Sequence, residues 1–176
     1  MRIISGFYKN TPLKSPHSEK THPMGDREKL ALFNMLNGKI AEKTILDAFA
    51  GSGALGLEAL SRGAKSVVFL EKSPKIAKIL AENIDFVLKN DKNRAKIVVS
   101  SVENADFSTK FDLIIADPPY DFYSEALIGP LLRFIPKTGL LALSLPKTAE
   151  TPVFDGFSLV SRHYYAAASI ALFEKI

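Results

Sequence analysis

The sequence predicts a doubly wound α/β fold. Its sheet is mostly parallel and seven-stranded, with an antiparallel hairpin at the C-terminal end and a small β-hairpin at the N-terminal end. Three observations predict this. Short apolar runs alternate with helical patterns from Thr44 to Leu145, as parallel crossover units do. Those runs are apolar throughout, as in strands covered on both faces. The last two runs, Phe157–Tyr164 and Ala168–Glu174, leave no room for a crossover helix and read as an antiparallel pair.

Residues 1–16 read as the N-terminal hairpin. Arg2-Ile3-Ile4-Ser5 is its first strand, Gly6 and Asn10 serve turns, and Leu13 begins the return. Pro12 and Pro16 make it an edge or an appendage. Ser15–Gly25 is a polar loop. A helix follows from about Asp26 to Leu36, with Asp26 as N-cap and Leu30, Phe33, Met35 and Leu36 on its apolar face. Thr44–Phe49 is a strand that runs into Ala50-Gly51-Ser52-Gly53. The next helix spans Ala54 to Ser61, and Gly63 stops it. Ser66–Leu70 is a strand ending at Glu71. Ser73 caps a helix with Pro74 at its first position, carried by Ile76, Ile79, Leu80 and Ile84 toward Leu88. Ile97-Val98-Val99 and Phe111–Ala116 are strands. A helix from Ser124 to Phe134 is expected to break or kink at Gly129-Pro130. Leu140–Leu145 is the fifth strand of the alternating series.

The chain has 176 residues, enough for a single structural domain with a full core. Within it, residues 1–25 form an extension and loop, and 26–176 the main domain. No apolar run approaches the roughly 20 residues of a membrane span. The N-terminus lacks a signal peptide's apolar region, so a cytoplasmic location is expected. Cysteine is absent, and His17, His22 and His163 have no ligand spacing, so no metal site is expected. The net charge of +4 suits an anionic partner. Basic residues gather near the N-terminus: Arg2, Lys9, Lys14, Lys20, Arg27 and Lys29.

The glycine loop is the strongest local feature. Asp47-Ala48-Phe49-Ala50-Gly51-Ser52-Gly53-Ala54-Leu55-Gly56 satisfies GxGxxG between a strand and a helix. Without a Cβ, Gly51 and Gly53 let a ligand lie against the main chain and let the loop turn sharply. Ligands of open parallel sheets bind beyond the carboxyl ends of the strands. A dinucleotide would place its pyrophosphate here, and Glu71 can bind ribose hydroxyls in either case. Asp47 tilts the choice. Its carboxylate would repel pyrophosphate but suits the ammonium or sulfonium charge of S-adenosylmethionine.

Asp117-Pro118-Pro119-Tyr120 follows the apolar strand Leu113-Ile114-Ile115-Ala116, at a carboxyl end beside that loop. The two prolines fix φ and stiffen the turn. An exocyclic base amine is a poor nucleophile, because its lone pair is delocalised into the ring. Asp117 and the Pro118 carbonyl can accept its N–H groups, orient the lone pair and stabilise the positive charge that develops. Tyr120 offers a face for base stacking, worth about 1–3 kcal/mol.

With these residues in place, the chain resembles the RsmD-type guanine-N2 methyltransferases, which act on 16S rRNA. The resemblance rests on Arg2–Gly6, on Asp26-Arg27 with Ala31–Leu36, on the long stretch Leu46–Ala64, and on Asp117–Tyr120. It implies a Rossmann-like class I methyltransferase fold, S-adenosyl-L-methionine as cofactor, and a monomer acting on 16S rRNA or the small ribosomal subunit. The implied target is the amine of one guanine, of the position-966 type. It implies cofactor contacts from Asp47, Phe49, Ala50, Gly51, Ser52, Gly53, Glu71, Lys72, Ser101 and Val102. Of these, Asp47, Gly51 and Gly53 line the methionine part, Glu71 the ribose, and Ser101-Val102 the adenine. Asp117, Pro118, Pro119 and Tyr120 form the catalytic set. Arg2, Lys9, Lys14 and Arg27 grip RNA. The chain departs from the family at Thr21-His22-Pro23-Met24-Gly25, where relatives carry an Arg-Pro-Thr stretch, and at Thr11-Pro12, which dilute the basic return of the hairpin.

Three other readings stay open on the sequence alone. One is an amine methyltransferase acting on adenine or cytosine of DNA or another RNA. Another is a nicotinamide-dependent oxidoreductase. The third is a silent RNA-binding module.

Overall fold

A computed structural model describes residues 1–15, 24–165 and 168–176. Seven strands form one sheet: β1 Thr44–Asp47, β2 Ser66–Glu71, β3 Ala95–Val99, β4 Leu113–Ala116, β5 Leu140–Pro146, β6 Phe157–Tyr164 and β7 Ala168–Lys175. Their order is β3-β2-β1-β4-β5-β7-β6. The pairings from β3 to β5 are parallel, and β7 runs antiparallel to both β5 and β6. The doubly wound sheet with its C-terminal hairpin therefore holds as read from the sequence. The hairpin's reversal at 166–167 lies outside the described residues, as do residues 16–23 of the polar loop, with His17, His22 and most of the departing stretch at 21–25.

Alternate residues of the central strands feed two separate cores. Ile45, Leu113, Ile115, Leu140 and Ala142 pack on one face, with α1 (Asp26–Met35), α2 (Ala54–Ser61) and α3 (Pro74–Leu88). Leu46, Ile114, Ala116, Leu141 and Leu143 pack on the other, against Ile128, Leu131 and Phe134 in and after α4 (Glu125–Leu132). Burial on both sides is why these strands carry no polar alternation.

Local signals set the helix ends. The Ser73 hydroxyl accepts the Ile76 N–H, with Pro74 at the first position of α3. At the end of α2, Gly63 adopts φ +93. Gly63 N–H donates to Leu60 and Ala64 N–H to Ala59, which closes the last turn. Two expectations need correction. The N-cap of α1 is Gly25 in extended backbone, and Asp26 makes no cap bond. Asp26 instead faces Arg2 at 3.5 Å and Lys29 at 3.9 Å. The helix α4 does not break at Gly129-Pro130 but runs on to Leu132.

The N-terminal hairpin is narrower than its sequence suggests. It holds one isolated bridge, Arg2 with Pro12, and no ladder. The flanking bonds, Ile3 N–H to Thr11 and Leu13 N–H to Met1, leave Pro12 where no N–H is needed. Gly6 and Asn10 take positive φ, as turn residues there should. Side chains from the helices hold the segment down. The buried Glu58 carboxylate accepts the N–H groups of Ile4 at 2.6 Å and Ser5 at 3.0 Å, and also Arg62 Nε at 2.8 Å. Lys29 is buried, and its Nζ donates to the Arg2 carbonyl at 2.6 Å. Burial lowers the Lys29 pKa, while Glu58 and Asp26 raise it. Asn83 of α3 accepts the Lys14 N–H and donates to both the Lys14 and Ser52 carbonyls.

Candidate active site

The strand order puts three acids in a row along the carboxyl edge. Asp47 ends β1, Glu71 ends β2, and Asp117 follows β4, so Asp47 sits between the other two. The loop after β1 first continues as a strand would. Ala48 N–H donates to Ile115 and Ala50 N–H to Leu70. The chain then turns at Gly51, φ +54, and Gly53, φ +85, into α2.

The glycines of GxGxxG divide their work. A Cβ on Gly51 would meet nothing nearer than 4.0 Å, so this is the open side of the loop. A Cβ on Gly53 would lie 2.4 Å from Leu80, and one on Gly56 2.2 Å from Phe69. Gly53 is therefore a turn and packing glycine, whose missing Cβ makes room for Leu80. Without these two glycines α2 could not lie this close to β2 and α3.

Asp47 is 1% exposed and accepts the Gly56 N–H at 2.9 Å. Burial pushes its carboxyl up to about 7; the Gly56 bond opposes this, and Asp117 and Glu71 add to it. Glu71 is also buried, but its two oxygens accept the N–H groups of Gly51 and Ser73 at 2.9 and 2.8 Å. It ties the glycine loop to the end of β2.

Beyond β4, Asp117 is partly buried, Pro118 buried, and Pro119 and Tyr120 exposed. Burial pushes the Asp117 carboxyl up to about 6, and the Ser144 hydroxyl draws it back. The Tyr120 hydroxyl lies 2.7 Å from Ser144 Oγ. Burial raises the Tyr120 pKa; Asp117 and Glu28 of α1 raise it further, and Ser144 lowers it.

The structure brings most of the sequence candidates together and scatters some. Phe49 is partly buried and Ala50 buried within the glycine loop. Ser52 is buried, and its hydroxyl turns to Met1 Sδ at 3.3 Å. Lys72 is exposed beside Glu71, with Nζ 5.9 Å from the Phe122 ring. Ser100 N–H donates to the Glu71 carbonyl, which brings Ser101 and the buried Val102 to the same edge. The basic residues do not form one cluster. Arg2 pairs with Asp26, next to Arg27, while Lys14 pairs with Glu82 of α3 at 2.7 Å. Lys9 lies in the turn beside Phe7, whose N–H donates to Ser61 at the far end of α2.

Sequence reading missed Ser144, Phe122 and Glu28. Ser144 carried a signal: it is the one hydroxyl within the apolar run Leu140–Leu145. Phe122 and Glu28 gave none, because an exposed aromatic and a helix-face acid are common on any surface.

Comparison with known proteins agrees with this arrangement. A family described as "Conserved hypothetical protein 95" matches residues 1–174. A ribosomal RNA small subunit methyltransferase D from Haemophilus influenzae is 40% identical over 69% of this chain, and the match spans 65% of that protein's length. The protein of the same name from Escherichia coli K12 is 31% identical over 93% of this chain and 81% of its own length. Among solved structures, yhhF of Escherichia coli, provisionally named a methyltransferase, superposes with a TM-score of 0.85 at 28% identity, covering 99% of this chain and 97% of that one.

Proposed function

The chain belongs to the conserved hypothetical protein 95 family, that of the RsmD-type enzymes, and on that premise we propose that it transfers a methyl group from S-adenosylmethionine to ribosomal RNA. The finer target is the N2 amine of one guanine in small-subunit rRNA, of the position-966 type. Family membership sets aside the nicotinamide reading. We read the enzyme as a cytoplasmic monomer, with residues 1–25 as an RNA-facing extension and 26–176 as the catalytic unit. Light scattering at twice the chain mass would remove the monomer.

One observation carries the cofactor reading. Asp47 is a buried acid flanked by two more acids and supplied with a single backbone N–H. Such a carboxylate calls for a cation, and the ammonium and sulfonium of S-adenosylmethionine meet that call. The residues fit the cofactor elsewhere too. Each Glu71 oxygen has already accepted one N–H, and each keeps a second lone pair for a ribose hydroxyl. The open side of Gly51 leaves room against the main chain. When bound, the cofactor supplies an electrophilic methyl group.

The chain's own residues do the rest. Asp117 and the Pro118 carbonyl accept the N–H groups of the target amine and aim its lone pair. With a pKa of about 6, Asp117 is ionised at neutral pH and can take the amine proton. The Tyr120 face stacks on the base. Guanine suits this pocket because its N1–H and N2–H groups are adjacent donors. Asp117 and the Pro118 carbonyl are both acceptors.

The test is transfer of labelled methyl to small-subunit particles and 16S rRNA from a strain lacking this protein, followed by mapping of the base. Label on one guanine amine is expected. Asp117→Asn should cut transfer by about 10²–10⁴-fold while keeping S-adenosylhomocysteine binding. Label only on duplex DNA would move the target to adenine or cytosine. Failure to bind S-adenosylhomocysteine would end the proposal.

A further inference from the structure

The catalytic motif leaves one close neighbour unexplained. Ser144 lies on β5, is 2% exposed, and stands in an otherwise apolar strand. The parallel register ends with Ala116 paired to Leu143, the residues just before Asp117 and Ser144, and the Ser144 hydroxyl is the hydrogen-bond partner that lowers the Asp117 pKa. The same hydroxyl is 2.7 Å from that of Tyr120.

We propose that Ser144 is a positioning residue that links Tyr120 to Asp117 through a directed hydrogen-bond chain and so holds the acceptor carboxylate and the stacking ring in one frame. This rests on the methyltransferase reading of the site. The direction follows from the donor count. Ser144 has one proton to give. An ionised carboxylate is a stronger acceptor than a phenol oxygen, so the proton goes to Asp117. The Tyr120 hydroxyl must then donate to Ser144, which turns it inward and leaves the ring face for the base. Protonating Asp117 removes the charge that sets this direction, and Ser144 can then donate to Tyr120. Few other groups compete. Asp47 of β1 and Glu28 of α1 act on Asp117 and Tyr120 through charge, and the hydrogen bond that Asp47 makes is to the Gly56 N–H rather than to this chain.

The test needs neither cofactor nor RNA. The Asp117 carboxyl is titrated by carbon NMR in ¹³C-aspartate protein, with Asp117→Asn to assign the signal. Ser144→Ala should move the Asp117 midpoint up by about one pH unit. Ser144→Thr, which keeps the hydroxyl, should restore it. Tyr120→Phe, which leaves the Ser144 donor intact, should move it far less. In turnover, Ser144→Ala should lower kcat about tenfold, shift its acid limb upward, and leave the KM for S-adenosylmethionine unchanged. Ser144→Cys, similar in shape and a poor donor, carries the test if the alanine variant does not fold. An unmoved midpoint in the alanine or cysteine variant overturns the proposal, as does an equal shift in Tyr120→Phe. A protein that passes the titration but transfers no methyl refutes the methyltransferase reading alone.

Discussion

Two buried carboxylates, one at the end of β1 and one within helix α2, have opposite surroundings. Glu58 is fully buried and accepts two backbone N–H groups and a guanidinium N–H. Asp47 is almost as buried, accepts one N–H, and faces two further acids. Both stand on the same core, so burial alone does not separate them. The internal supply of positive charge does. Glu58 is satisfied by its own chain and acts as a clip for the N-terminal segment. Asp47 is left short, and a cationic ligand makes up the difference.

This contrast can be broken most forcefully at Glu58. Replacing it with Ala strands Arg62 and the Ile4 and Ser5 N–H groups, and should cost about 3–5 kcal/mol in denaturant unfolding. Affinity of the folded fraction for S-adenosylhomocysteine should not change. Asp47→Asn should do the reverse. Asn still accepts the Gly56 N–H, but the ammonium loses its partner, so affinity by calorimetry should fall about 100-fold, or about 2.7 kcal/mol. Equal losses of affinity in both variants would erase the distinction between clip and binding acid.

A subtler effect follows from the Asp47 carboxyl lying at about 7 against its ordinary 3.8. A raised acid gives stability that is full below its unfolded pKa and is lost as pH rises through the folded one. The ligand-free protein should therefore lose stability between about pH 4 and pH 7, with Asp117 adding in the same direction up to about 6. Ligand affinity should move the other way and rise through pH 7, with a proton released on binding. Asp47→Asn should flatten the affinity profile, and a flat profile in the unaltered protein would contradict the account. The smallest effect is a gain in unfolding free energy of Asp47→Asn at neutral pH, because no charge is then buried. That gain should be about 0.5–2 kcal/mol; a drop instead would show Asp47 to be structural.

The sheet was legible because its evidence is local. The strands on either side of the glycine loop and the Asp117 motif carry short apolar runs, and Ser73-Pro74 and Gly63 mark helix ends through their own backbone chemistry. Asp47, Glu71 and Asp117 were legible because each follows directly from a strand end. The N-terminal clip was not. Glu58 lies within Ala54-Leu55-Gly56-Leu57-Glu58-Ala59-Leu60-Ser61, where a single acid reads as the solvent face of a helix, and its partners lie 53 and 54 positions away. Asp26 was misread for a similar reason. Arg2 and Lys29 claim its carboxylate from outside the local turn. The packing role of Gly53 was not legible, because nothing in the pattern reveals Leu80 where its Cβ would be.

The staples of the N-terminal segment set an order of events during synthesis. Ile4 and Ser5 leave the ribosome well before Glu58 exists to receive them, and Lys14 waits for Asn83, 69 positions later. At about 5–20 residues per second, 69 residues take roughly 3–14 s. This early stretch thus cannot dock fully until α3 has been made. Through that interval its lysines and arginine, with the exposed ring of Phe7, travel undocked beside a ribosome whose own RNA is the proposed target.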